Sequence, residues 1–380
     1  MDMREKFQKF IKENQADLYA TLKELCLIPA PAGLEDERAA YCKAKLESFG
    51  AKGVYIDEVK NVIYPINAEG KNELTVIAAH TDTVFPDLEP MPYIDDGEKI
   101  TCPGVGDDTA SLSVLLFVAK FLIENNITPE RGLLIVCNSC EEGLGNLKGT
   151  RRLFADFEGR IKQFISYDAG TFKRITRGCV GSVRYEVEVK TEGGHSYGMF
   201  GNKNAIYYLS KMVNAIYELE IPALPGEKTT YNVGIIEGGT SVNTIAQSAK
   251  MLCEYRSTSA DALEIMKGKF YEIFDTVRDM GVEVNVTVVG ERPSERGVDQ
   301  TKVDALCAII AKAFREVAGT EEVTYGKGST DCNIPLSLGI PAICFGVYNG
   351  AGSHTRTEWI KRDSIIPGLE IALMTTLDFI

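Results

Sequence analysis

Histidine is almost missing from this chain: three residues in 380, at positions 80, 195 and 354. Cationic side chains are also in deficit, 41 Lys and Arg against 54 Asp and Glu, for a formal charge of −13. That balance disfavours nucleic acid and anionic membranes as partners, because both select clustered positive charge. No apolar run approaches the roughly 18 residues that a spanning helix needs, so no transmembrane helix is expected. The opening stretch MDMREKFQKFIKENQADLYATLKELC reads as a charged amphipathic helix without the apolar core of a signal peptide. Ten cysteines without an export signal then read as reduced thiols in a cytoplasmic protein. Cys137 and Cys140 form a Cys-x-x-Cys, but no second such pair follows to complete a zinc site.

What is present has the texture of two domains, as 380 residues exceed one ordinary core. ELTVIAAHTDTV, RGLLIVCNSCEEG and GRIKQFISYDAG read as buried strands, each running into a polar loop. The strongly apolar TASLSVLLFVAKFLIENN, Thr109 to Asn126, reads as a helix between two of them. Buried strands alternating with helices predict an α/β fold, a mostly parallel sheet with helices on both faces. Near Gly178 the pattern changes. SVRYEVEVKTEG alternates strictly, as a half-exposed antiparallel strand does. The order that follows, β-α-β-β-α-β, is the ferredoxin-like pattern. The expected organisation is therefore a catalytic domain made of 1–177 and 291–380, split around an inserted α+β domain at 178–290.

Each histidine sits in a loop rich in Gly, Thr or Ser near an expected strand end. His80 lies in AAHTDTV, where Asp82 is close enough to bond the second ring nitrogen, as a carboxylate commonly does behind a metal-bound imidazole. GVGDDTAS places Asp107 and Asp108 where the apolar helix begins. CNSCEEGLGNLKG ends a buried strand with Glu141 and Glu142 side by side, and SYDAG puts Asp168 just past another. GAGSHTRTEW carries His354. Ligands in open α/β sheets bind beyond the carboxyl ends of strands. Two like charges held close there need a cation or a shared proton. Five loops thus offer His80, Asp107, Glu141 or Glu142, Asp168 and His354, a mixed N/O set suited to one or two divalent ions such as zinc. One glutamate of the pair would hold metal and the other a proton.

In this order and spacing the motifs resemble the cocatalytic dinuclear zinc peptidase family that includes peptidase T, glutamate carboxypeptidase, aminoacylase and succinyl-diaminopimelate desuccinylase. The resemblance spans nearly the whole chain and also rests on IPAPAGLEDE, GGHSYGMFGNKNAI, GGTSVNTIAQSAKMLCEYR and GSHTRTEWI. DDTAS and GSTDCNIPLSLGIPAICFG look most like its peptidase T side. The resemblance implies two divalent metal ions per subunit, zinc first, with cobalt or manganese as alternatives. It implies that His80 and Asp168 bind one ion, Glu142 and His354 the other, and that Asp107 bridges them. It assigns Asp82 to orient His80, and Glu141 to act as general base. It implies that the inserted domain is a lid and dimerisation domain, and that His195 stabilises an oxyanion in the partner subunit of a homodimer. Asn243 and Arg256 match positions that contact substrate. Two departures bear on specificity: Thr109 follows Asp108 where many members carry a lysine, and Met199-Phe200-Gly201 stands where a proline is usual. The expected activity is exopeptidase action on short peptides, as a di/tripeptidase or aminopeptidase-like enzyme. Hydrolysis of N-acyl amino acids would use the same machinery. A non-catalytic binding protein on this fold is the reading from another class, and the presence of all five ligands and Glu141 argues against it.

Overall fold

The strand Leu74–His80 is buried along its whole length, and its side chains alternate between two apolar clusters. Ile77 and Ala79 join one; Leu74, Val76 and Ala78 join the other. Its neighbour Gly132–Asn138 does the same, with Leu133, Ile135 and Cys137 on one face and Leu134 and Val136 on the other. Continuous apolar strands of this kind belong in a sheet covered on both sides. In the computed structural model, which describes residues 2–380, they lie inside an eight-stranded sheet. Its order is Tyr55–Ile56, Val62–Ile66, Gly132–Asn138, Leu74–His80, Ile161–Tyr167, Ala342–Phe345, Arg174–Cys179 and Thr324–Gly328. The four central strands run parallel, and antiparallel pairs occur towards the edges.

Helices Met3–Cys26, Asp36–Ser48, Ser111–Glu124, Gln300–Ala318 and Ile365–Phe379 cover one face, and Lys148–Asp156 with Asn333–Ser337 covers the other. The helix Ser111–Glu124 is buried at every residue from Ser111 to Ala119, which explains its unbroken apolar composition. It starts two residues later than the sequence suggests. Val105–Ala110 forms a wider turn in which Asp107 and Asp108 leave helical geometry, and the peptide between them is cis. The two aspartates are therefore not helix caps.

Two features escaped the sequence reading. Thr324–Gly328 is an edge strand without an apolar signature. A small sheet joins Ile94–Asp95, Lys99–Thr101, Trp359–Lys361 and Gly350–Ala351, strands too short to leave a periodic pattern. Trp359, the only tryptophan, lies here with the Lys99 ammonium 3.9 Å from its ring centroid.

The sheet and its helices form one compact unit, Met1–Cys179 with Gly297–Ile380; Val180–Arg296 forms a second. In the second unit Gly181–Lys190, Thr229–Gly238, Ser248–Ser257 and Glu283–Arg292 make an antiparallel sheet. Taken in sequence order, the strands sit 2-3-1-4 across it. Helices Ala205–Tyr217 and Ala260–Arg278 pack their apolar faces on one side, around Tyr185, Tyr255, Phe270 and Phe274. This is the ferredoxin-like α+β arrangement. All ten cysteines are free and buried. Among the described residues no helix is long and apolar enough to cross a membrane.

One buried cation ties the first unit together. Arg38, 1% exposed, donates to the carbonyls of Leu25 at 2.9 Å, Ile28 at 2.7 Å and Thr81 at 2.9 Å, and to the Thr109 hydroxyl at 3.3 Å. A guanidinium out of water is tolerated only when its donors are matched in this way. Arg38→Ala strands several buried carbonyls, each worth about 1–3 kcal/mol. It should destabilise this unit by about 3 kcal/mol or more, whereas Arg131→Ala on the surface should stay within about 0.5 kcal/mol. Thermal and denaturant melts of the two variants against the parent chain check this.

Candidate metal centre

Parallel register sets the site. His80 pairs with Asn138, so the loops that follow both strands leave from the same sheet edge. Asp168 follows Tyr167, the end of the next strand on the other side. From there the wide turn Val105–Ala110 contributes Asp107, and the loop after Ala342–Phe345 contributes His354, whose φ of 66° is left-handed.

Asp107 stands between the two imidazoles. Its Oδ1 is 3.0 Å from His80 Nε2, and its Oδ2 is 3.2 Å from His354 Nε2. The same His354 nitrogen lies 3.1 Å from Glu142 Oε1. Donor atoms of His80, Asp107 and Asp168 all fall within 4.8 Å of one another, and so do those of Asp107, Glu142 and His354. These two groups share only Asp107. A third group of the same spread contains His80, Glu141 and Glu142, so Glu141 lies alongside.

Asp82 does more than the sequence suggests. His80 Nδ1 is 3.0 Å from the Asp82 main-chain carbonyl and 3.5 Å from its carboxylate. The carboxylate itself accepts the Glu141 N–H at 3.0 Å and the Glu142 N–H at 2.8 Å. It therefore fixes both the imidazole and the turn that carries the two glutamates. The Asp82 carbonyl can only accept, so His80 Nδ1 bears a proton, and Nε2 is the nitrogen that faces Asp107 and the site.

Three contributors were not singled out from the sequence. Asp108 accepts the His80 backbone N–H at 3.0 Å, and its buried Oδ1 has no hydrogen-bond partner. Asp331 accepts from Asn138 and Thr150, pinning the end of the strand that leads to Glu141. Glu358 accepts three backbone N–H groups of the Asp107 loop. The signal for Asp108 was its place beside Asp107, and for Glu358 its place four residues past His354. Asp331 gave none beyond its Ser-Thr-Asp context.

The electrostatics describe a site short of positive charge. Burial pushes Asp168 up to about 7, with the Asp107 charge adding to it. Burial likewise lifts Asp108 well above the usual carboxylate range. Burial opposes charge on His80, but Asp107, Asp108 and Asp82 outweigh it and hold the ring well above its ordinary value. Its bonds to Asp107 and then Glu142 bring His354 up to about 10. Burial also opposes the Asp107 charge, yet the two imidazoles keep its carboxyl below the ordinary range. Asp82, Asp107, Asp108, Glu141, Glu142 and Asp168 thus crowd around two imidazoles. Imidazole and carboxylate donors with a negative excess fit a pair of small divalent cations. The Cys137 and Cys140 thiols belong to none of the metal-competent groups.

The remaining sequence-derived residues lie in the second unit. His195 is exposed, and its Nδ1 accepts the backbone N–H of Tyr197 at 3.3 Å and of Gly198 at 3.2 Å. That leaves Nε2 as the protonated, donating nitrogen. Asn243 is its neighbour: His195 pairs with Thr244, and the Asn243 carbonyl accepts the Ser196 N–H at 2.9 Å. Arg256 is not. It lies eight residues along the strand from Ser248, about 26 Å at the usual rise of about 3.3 Å per residue. Its guanidinium is held in a fork by Glu254, at 2.7 and 3.1 Å.

The family model of peptidase family M20/M25/M40 matches residues 76–377. An uncharacterized protein of Bacillus subtilis, YqjE, is 25% identical over 359 residues, 88% of this chain and 91% of that protein. The succinyl-diaminopimelate desuccinylase of Corynebacterium glutamicum is 24% identical over 337 residues, 87% of this chain and 88% of that one. In fold, the chain is similar to aminopeptidase PepT from Bacillus cereus, with a TM-score of 0.73 at 22% identity, covering 95% of this chain and 98% of the other. The family match takes in every metal-competent residue from His80 to His354, and with it the chain belongs to peptidase family M20/M25/M40.

Proposed function

We propose that this hydrolase is a dinuclear metal-dependent exopeptidase that cuts short peptides. The observation carrying the proposal is Asp107, whose two oxygens each face a different imidazole while Glu142 and Asp168 complete two donor groups around it. In this reading His80 and Asp168 hold one ion, Glu142 and His354 the other, and Asp107 both, with zinc as the first choice. A bound pair of ions polarises the scissile carbonyl and makes water a competent nucleophile near neutral pH.

The chain's own residues do the rest. Asp82 grips the Glu141 and Glu142 N–H groups and so holds the Glu141 backbone in place. Glu141 takes the proton from the attacking water and delivers it to the leaving amine. His195 donates from Nε2 to the carbonyl oxygen as it gains charge. Asn243 contacts substrate beside it, and Arg256 exchanges Glu254 for a substrate carboxylate, which its planar fork suits. His195 and Asn243 belong to the two-stranded pair Gly194–His195 with Thr244–Ile245, whereas Arg256 lies near the far end of the strand Ser248–Ser257 in the separate four-stranded sheet. In this reading His195 and Asn243 come from a second copy of the chain, in a cytoplasmic homodimer. The full-length similarity to a desuccinylase favours a second reading, hydrolysis of N-acyl amino acids by the same groups.

One tripeptide offered to zinc-loaded protein in free, N-acetylated and C-amidated forms separates these readings. Cleavage of the free form alone, blocked by acetylation, is expected of an aminopeptidase. Loss on amidation but not acetylation would favour the deacylase or a carboxypeptidase. Glu141→Gln should keep both ions and lose at least ~100-fold in kcat, whereas Glu142→Ala should lose metal affinity. Retained turnover in the first variant would reverse the roles within the pair. Mixing inactive His195→Ala with inactive Glu141→Gln should restore about a quarter of parental activity if sites are shared across a two-fold dimer. No recovery on mixing would place His195 in its own chain's site or outside the reaction.

A further inference from the structure

Glu358 is a second layer of negative charge behind a site that already has too much. It is 1% exposed, and it forms no ion pair with a cationic side chain among the described residues. Its partners are main-chain donors: Oε2 accepts the Gly104 N–H at 2.6 Å, and Oε1 accepts the N–H groups of Gly106 at 3.0 Å and of Asp107 at 2.8 Å. Its own carbonyl accepts the Cys102 N–H at 3.2 Å. All four donors belong to the segment that presents Asp107. A carboxylate that accepts several N–H groups in a dry site is a strong clamp.

The loop is shaped for this seat. A Cβ on Gly106 would come within 2.8 Å of Glu358 Oε1 and 2.8 Å of the Tyr348 hydroxyl, so only glycine lets the carboxylate approach. Gly104 holds a φ of 75°, which turns its N–H towards the same carboxylate. On the other side, Glu358 is four residues past His354, and its N–H is bonded to the Thr355 carbonyl at 3.2 Å. It therefore joins the segment carrying Asp107 to the segment carrying His354, the two groups whose Oδ2 and Nε2 lie 3.2 Å apart.

We propose that Glu358 is a positioning residue that aims the Asp107 carboxylate and keeps its separation from His354, so that both donor groups form at once. The inference rests on the dinuclear reading above. Glu358 touches neither substrate nor reacting atoms; it acts through the Asp107 backbone.

The test uses the charge-neutral isostere. Glutamine has one acceptor oxygen, so in Glu358→Gln an amide NH2 must face either Gly104 or the Gly106–Asp107 pair, donor against donor. Gly106→Ala perturbs the same seat without altering the carboxylate. The full-length, metal-stripped chain and both variants are titrated with zinc by calorimetry, and kcat and KM are measured on the cleaved tripeptide. Both variants are expected to lose about tenfold or more in zinc affinity, the usual consequence of removing a group that orients a ligand. Their kcat should fall while KM stays within about twofold of the parent. Two ions bound by Glu358→Gln and Gly106→Ala with parental affinity would overturn the inference and leave the dinuclear reading standing. A parent chain that binds fewer than two ions would overturn the dinuclear reading, and the inference with it.

Discussion

Everything at the candidate site answers to one constraint: too many carboxylates share a dry edge of the sheet. Asp107 lies between His80 and His354, and Asp82, Asp108, Glu142 and Asp168 lie around them. In water such a group would separate. Here the strands and loops forbid it, so the charge must be met by protons, imidazoles or metal. The lift on Asp168 and Asp108 and the lift on both histidines express the same imbalance from opposite sides. The site is arranged so that cations resolve it.

Holding that arrangement is the task of residues some distance from the chemistry. The segment from Ile28 to Arg38 acts as a frame for three loops. The Ala30 carbonyl accepts the Thr83 N–H at 2.8 Å. Buried Glu35 accepts the Cys140 N–H at 3.1 Å, one residue before Glu141. Arg38 binds the Thr81 carbonyl between His80 and Asp82, and the Thr109 hydroxyl beside Asp108. Thr109 is thus bonded by a cation from another helix. Precision at the ligands is inherited from such contacts, because a ligand loop is only as fixed as what it leans on.

The sequence made the layered sheet legible because buried parallel strands leave unbroken apolar runs, and Leu74–His80 and Gly132–Asn138 are that signal. It exposed the metal-competent set because three histidines leave few choices, and two of them fall at strand exits. Other parts were hidden for physical reasons. Thr324–Gly328 joins an edge, where no two-sided apolar pattern is needed. Asp82 looked like a partner for one imidazole, yet its carboxylate bonds two backbone N–H groups 59 and 60 residues away in the chain. Main-chain hydrogen bonds across such distances leave no trace in residue order. Asp107 and Asp108 stand where carboxylates commonly cap a helix; only the backbone geometry of Val105–Ala110 separates their roles.

The solitary tryptophan turns this architecture into an instrument. Trp359 follows Glu358 directly, sits under the Lys99 ammonium, and belongs to the short strand that ends the His354 loop. With one indole in 380 residues, emission excited beyond the absorption of the 16 tyrosines comes with its address already assigned. Emission colour and quenching report the polarity and motion of that one stretch of backbone, without a label and without unmixing. Evolution has left the chain with a native optical probe a single residue from the clamp on its central carboxylate.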